Sequence, residues 1–152
     1  MFMDFYESLR NKAAELATKY APAALNNEKR FAKGCISSAA LMTMADGNAE
    51  PSELDMGAQF ISGIEEIKNT FGEEEANEIF ALQVSNLQDT ANPAMFTMAV
   101  NKMIAEMKGG IEDPAWKSTI VSIAETMGSA NSNGVAGGDE IAMINKIKAA
   151  MA

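Results

Sequence analysis

Apolar residues recur at intervals of three and four positions along most of this 152-residue chain. Such spacing is typical of amphipathic helices, and it extends over residues 2–20, 23–44, 51–64, 73–87, 95–107, 114–127 and 139–147. No alternation of apolar and polar residues lasts long enough to predict a strand. The pattern therefore predicts an all-α fold, in which residues 1–152 form a single compact domain of about seven helices.

The segment 23–44 departs from the amphipathic pattern because it is apolar or small on nearly every face. Its apolar face includes Phe31, Cys35 and Ala39, and glycine, serine and alanine fill most of the positions between them. Small side chains let neighbouring helices approach closely. We therefore expect this segment to be a central helix crossed by the others.

One short stretch occurs twice, at an offset of 87 residues. The first copy is 46–53, DGNAEPSE, and the second is 133–140, NGVAGGDE. Flanking apolar positions agree at the same offset, pairing Ile36 with Ile123 and Leu54 with Ile141. This predicts two helix–loop–helix units, about 29–66 and 114–150, that face one another about a pseudo-twofold axis.

The composition excludes several kinds of partner and functional site. The net charge is −9, so the chain repels phosphate backbones, and no nucleic-acid partner is expected. There is no histidine and one cysteine, Cys35, which excludes catalytic sites that need an imidazole and zinc sites built from cysteine and histidine. We predict that Cys35 is a buried, unreactive thiol and that the chain is not an enzyme.

No segment approaches the roughly 18 apolar residues that would span a bilayer, so we expect a cytoplasmic protein without direct membrane insertion.

The two loops carry the oxygen ligands that hard divalent cations prefer. Loop two matches the EF-hand pattern except that Ser129 stands at its first position, whereas loop one lacks the early ligands. We therefore predict weak binding of calcium or magnesium, dominated by loop one and completed from loop two. The predicted ligands are Asp46, Glu50, Glu53, Asn133, Asp139 and Glu140.

An alternative explains the same residues without a metal. An aspartate before a glycine often bonds its own backbone in an Asx-turn, and acidic residues stabilise helix N-termini. On this interpretation the loops are turns and caps, and the acidic surface docks a basic partner.

The runs 31–35, FAKGC, 45–53, ADGNAEPSE, and 60–67, FISGIEEI, resemble the tellurite-resistance protein family TerB. The resemblance spans essentially the whole chain. It implies a compact all-helical cytoplasmic domain that works in stress systems linked to tellurite, phage and colicin resistance. It also implies a divalent-metal site, here Asp46, Glu50, Glu53, Asp139 and Glu140, and an association with the membrane protein TerC.

The sequence thus favours a TerB-like, non-enzymatic stress-response protein that binds divalent metal through its loops and acts within a protein complex. A TerC-like membrane protein is the expected partner, which would place the chain at the periphery of the inner membrane. The alternative is a structural or interaction subunit, for example of a phage-borne assembly, that has no metal function.

Overall fold

The computed structural model describes the backbone of residues 6–9, 11–88, 90–131 and 137–152. Residues 6–9 are helical, and a 3-10 turn, Pro22–Ala24, lies between the first two longer helices. No strand occurs in the described ranges, and the all-α prediction is confirmed. The longer helices are α1 Ala13–Lys19, α2 Asn27–Thr43, α3 Pro51–Ser62, α4 Glu65–Lys68, α5 Glu73–Gln88, α6 Pro93–Lys108, α7 Pro114–Asn131 and α8 Gly138–Met151.

Helix α2 is the centre of the molecule, as the sequence predicts. Every residue from Phe31 to Met44 is buried, and α3, α4, α5, α6, α7 and α8 all pack against this helix. Its start is fixed by Asn26, whose side chain accepts a hydrogen bond of 2.8 Å from the backbone N–H of Lys29. The amphipathic faces of the surrounding helices are therefore buried against one common element.

The crossing of α2 and α7 shows why small residues are needed there. A Cβ atom added to Gly34 would lie 3.1 Å from Cδ1 of Ile120, and Ser38 donates a hydrogen bond of 3.0 Å to the carbonyl oxygen of Ile120. Glycine and serine thus let the two helix backbones approach closely, and the serine hydroxyl is satisfied across the contact.

Two of the predicted helices differ in extent from the observed ones. In the described part of the first, residue 12 lies in a turn that closes through a hydrogen bond of 2.9 Å from the N–H of Lys12 to the carbonyl oxygen of Leu9. The third ends at Ser62, two residues before its predicted end, and the extended backbone of Ile64 separates it from α4, a short helix that the pattern does not predict. On a continuous helix Ile61 and Ile67 would point about 120° apart. The break lets both side chains be buried, at 0% and 1% exposed.

The helix bounds follow the 87-residue offset, but the buried faces do not. Helices α2 and α7 begin at residues 27 and 114, and α3 and α8 begin at 51 and 138. Leu54 is nevertheless buried where its counterpart Ile141 is 49% exposed, and Met56 is 48% exposed where Met143 is buried. The second helices of the two units therefore present different faces to the core.

No helix in the described ranges is both long enough and apolar enough to cross a membrane.

Candidate functional site

Loop one, residues 44–50, is a tight turn built on an aspartate and a glycine. Gly47 has a φ of +88°, which a residue with a side chain rarely adopts, and its N–H donates to the carbonyl oxygen of Met44 at 2.9 Å. The carboxylate of Asp46 accepts a hydrogen bond of 3.0 Å from the N–H of Asn48. One oxygen of this predicted metal ligand therefore holds the turn together.

The other two acids of loop one lie at the start of α3. Glu50 is the N-cap residue, and Pro51 occupies the first helical position, where its missing N–H costs nothing. The N–H of Glu50 donates to Oε1 of Glu53 at 3.0 Å, so the Glu53 side chain folds back over the helix end. Asp46 and Glu50 are exposed on the same short segment.

The described part of loop two shows a related arrangement at the start of α8. Gly137 is the N-cap residue. Asn133, a predicted ligand four residues earlier in the chain, lies outside the described residues. A Cβ atom on Gly137 would lie 2.8 Å from Oε2 of Glu140, so this carboxylate also folds back towards its N-cap residue. Asp139 is exposed in the first turn of α8, where a negative charge favours the helix dipole.

The described start of loop two does not follow the EF-hand pattern that its sequence suggests. Helix α7 continues through Asn131, so Ser129 and Asn131, which the EF-hand pattern would place at the first and third loop positions, both lie on a helix.

The described loop acids do not form a common ligand cluster. In the ranges that the structure describes, no three aspartate, glutamate or cysteine side chains are grouped so that they could hold a metal ion. Asp46, Glu50, Glu53, Asp139 and Glu140 all belong to those ranges. Their geometry matches turn and helix-cap roles, and a divalent site remains a prediction of the sequence.

Cys35 lies in the middle of α2 and is 0% exposed. Burial raises the pKa of the Cys35 thiol, and the negative charge of Glu66 adds to the rise. A thiol reacts through its thiolate form, so this environment keeps Cys35 unreactive at neutral pH.

A cleft that the sequence reasoning missed lies between the turn Pro22–Ala24, α2, α5 and α6. It encloses about 480 Å³, and Lys33 and Gln83 line both this cleft and a smaller adjoining recess. Lys33 is only 9% exposed, and its Nζ donates a hydrogen bond of 2.7 Å to the carbonyl oxygen of Tyr20, the residue that ends α1. The signal in the sequence is that Lys33 is the one charged residue between Phe31 and Met44.

The electrostatics of the cleft are unlike those of the chain as a whole. Burial lowers the pKa of Lys33, and the nearby negative charge of Glu106 opposes that shift. Of the described residues that line the cleft, Lys33 and Lys102 carry positive charge and Glu106 carries negative charge. The described lining of the cleft therefore carries a net positive charge, whereas the net charge of the chain is −9.

A second feature is an exposed apolar surface at the start of α6, formed by Met95 and Met98, which we call the methionine surface. Their side chains are 47% and 70% exposed, and a spacing of three residues places them on one face of the helix. The side chain of Asn92 caps this helix by accepting from the N–H of Met95 at 2.9 Å, and Pro93 is its first residue. The surface is therefore presented by a well-defined helix start.

Comparisons with models of known protein families, with curated proteins and with solved structures find no match to this chain.

Proposed function

We propose that this protein is a non-enzymatic binding protein that acts within a protein complex in a stress response, as the resemblance to TerB implies. The observation that carries the proposal is the methionine surface, where Met95 and Met98 expose two large apolar side chains side by side. Methionine is flexible and polarizable, and it is common at surfaces that bind other proteins. Isolated exposed apolar residues need no explanation, but two on one helix face favour a contact site.

The other face of the same helix supports this assignment. Val100, Met103 and Met107 are buried in the core, so α6 is anchored while Met95 and Met98 are exposed to solvent. A partner that covers Met95 and Met98 would gain apolar burial without any rearrangement of the helix.

Charge favours the same class of partner. A net charge of −9 attracts basic protein surfaces and speeds the encounter with them. The partner implied by the TerB resemblance is a TerC-like membrane protein, and its cytoplasmic loops would supply the basic surface. This chain would then be cytoplasmic and held at the membrane by its partner.

The absence of histidine from the sequence and the burial of Cys35 support a role without catalysis. Direct reduction of tellurite by this chain would require an accessible thiolate or another redox group. Cys35 is enclosed by the core and its pKa is raised, so it does not meet that requirement.

Binding to a purified TerC-like protein in detergent tests the proposed contact. The double variant Met95→Gln with Met98→Gln keeps the side-chain length but makes the surface polar. We expect it to weaken binding about tenfold or more, because a minority of interface residues, those buried at the centre of the contact, account for most of the binding free energy. Biolayer interferometry measures the dissociation constants.

The matched control is Met56→Gln, because Met56 is exposed to the same degree but lies on α3. This variant should bind like the unmodified chain. If the unmodified chain does not bind, or if the double variant binds as well as the control, the proposed contact is wrong.

Divalent-cation binding at loop one is a second candidate function, favoured by the exposure of Asp46 and Glu50 within one turn. We expect titration calorimetry with calcium or magnesium to show saturable heat at millimolar concentrations. The variants Asp46→Asn and Glu53→Gln should abolish this heat, because each removes a negative charge that would attract the cation. Both keep an oxygen acceptor for the observed hydrogen bonds, so the loop should keep its structure.

The control Glu112→Gln removes an exposed acid far along the chain, and should leave the heat unchanged. Absence of heat and of any shift in melting temperature at millimolar metal would eliminate the metal site and leave the interaction-only role.

A further inference from the structure

We propose that the cleft between the turn Pro22–Ala24, α2, α5 and α6 binds a small, singly charged organic anion, a carboxylate with a short apolar body, anchored by the ammonium group of Lys33. The proposal rests on the geometry of this cleft and not on the role proposed above.

Lys33 is buried at the cleft with most of its hydrogen-bonding capacity unused. An ammonium group carries three N–H donors, and in the described structure Nζ of Lys33 makes one hydrogen bond, to the carbonyl oxygen of Tyr20. No carboxylate of the described residues lies within 4.0 Å of it as an ion pair. A buried charge is costly unless it is paired, and an anion in the cleft would supply both the opposite charge and the missing acceptors.

The shape of the cleft fits a small molecule. Its volume of about 480 Å³ lies within the range of about 300–1,000 Å³ that small-molecule sites usually have. Leu82 and Met103 provide apolar groups on the lining, whereas Lys33 and Gln83, both buried, provide polar groups. This combination suits a ligand with one charged end and a short hydrocarbon part.

The charged residues on the lining other than Lys33 favour a ligand with a single negative charge. Lys102 is exposed on the lining and adds a second positive group, while Glu106 is the one carboxylate among the described lining residues. Glu106 would repel a second negative charge near Lys33. A monocarboxylate is therefore favoured over a phosphate monoester, which carries close to two charges at neutral pH.

The test compares hexanoate with its uncharged counterpart, hexanamide. Binding of each is monitored by NMR through the backbone amide chemical shifts of the ¹⁵N-labelled protein. Hexanoate should shift the amide signals of Leu82, Gln83 and Met103, and hexanamide should shift them far less. Lys33→Met should weaken hexanoate binding roughly tenfold or more, the loss expected when a hydrogen bond to a charged group is removed.

Lys29→Met is the matched control, because it removes the same charge from an exposed position one turn earlier on α2. It should bind hexanoate like the unmodified chain. Equal binding of hexanamide, shifts that fall outside the cleft, or equal binding by the Lys33→Met and Lys29→Met variants would overturn the proposal.

A second variant keeps the proposal testable if Lys33→Met does not fold. Glu106→Gln removes the repelling carboxylate and should strengthen binding of hexyl phosphate relative to hexanoate. If hexyl phosphate already binds more tightly than hexanoate to the unmodified chain, the preference for a single charge is wrong. If Glu106→Gln leaves the ratio of the two affinities unchanged, Glu106 does not repel a second negative charge, and that part of the proposal is wrong.

Discussion

Replacing Ile120 with alanine is expected to lower the free energy of unfolding by about 2–5 kcal/mol, the range for removal of a large aliphatic side chain from a packed core. Ile120 is 0% exposed and lies where α7 crosses α2. Its Cδ1 atom faces Gly34, so no side chain of that residue can move in to fill the space. We therefore expect a loss in the upper part of this range. Urea unfolding monitored by circular dichroism measures the free energy of unfolding.

The same contact supplies a compensating change. A Cβ atom on Gly34 would lie 3.1 Å from Cδ1 of Ile120, so Gly34→Ala alone should be mildly destabilising. In the double variant with Ile120→Ala, the new methyl group enters the vacated space, and part of the lost stability should return.

Ile141→Ala is the control, because Ile141 is 49% exposed and the change should stay within about 0.5 kcal/mol. Equal losses for Ile120→Ala and Ile141→Ala would contradict the central position of the α2–α7 crossing.

Gly57→Ala is expected to destabilise the protein by about 1–2 kcal/mol, although alanine is the better helix former. A Cβ atom at this position would lie 2.5 Å from Cζ of Phe80 and 2.9 Å from Oγ1 of Thr43. Phe80 is 0% exposed, so its ring has no free space to move into. Overpacking of this kind costs about 1–3 kcal/mol, and two close contacts with buried groups place this site in the upper half of that range. That cost exceeds the roughly 0.5–1 kcal/mol that alanine gains over glycine in a helix.

Gly63→Ala tests the same substitution at the end of α3, where the added atom would make an ordinary contact of 3.5 Å with the carbonyl oxygen of Phe60. Its effect on the urea midpoint should be small. A Gly57→Ala variant that is as stable as the unmodified chain would show that α3 does not pack against α5 as closely as described. Phe80→Leu should reduce the loss of stability caused by Gly57→Ala, because the shorter leucine side chain leaves room for the added methyl group.

The helical fold was predictable because most helices carry a continuous apolar stripe and begin at clear signals. The structure begins two helices at Pro51 and Pro114, as the sequence predicts, and it begins α6 at Pro93, two residues before the predicted range 95–107. The short helix α4 was not predictable from periodicity, because the predicted apolar spacing ends at Ile64 and only the tertiary burial of Ile67 favours a further helical turn.

The candidate sites divide in the same way. The Asp46–Gly47 turn was predictable because an Asx-turn and a positive φ are local properties. The environments of Leu54 and Ile141 were not, since equal spacing from a loop does not fix which face of a helix meets the core. The cleft is formed by side chains from α2, α5 and α6, and no sequence pattern brings Lys33, Gln83 and Glu106 together.

The proposed stress-response role is tested most directly by growth on tellurite of a bacterium that lacks its own TerB. We predict that expression of this chain restores growth, that Cys35→Ala also restores it, and that Met95→Gln with Met98→Gln does not. The Cys35 variant separates partner binding from direct thiol chemistry, since that cysteine is enclosed by the core. Growth no better than with an empty vector, although immunoblotting shows the unmodified chain at full level, would contradict the role.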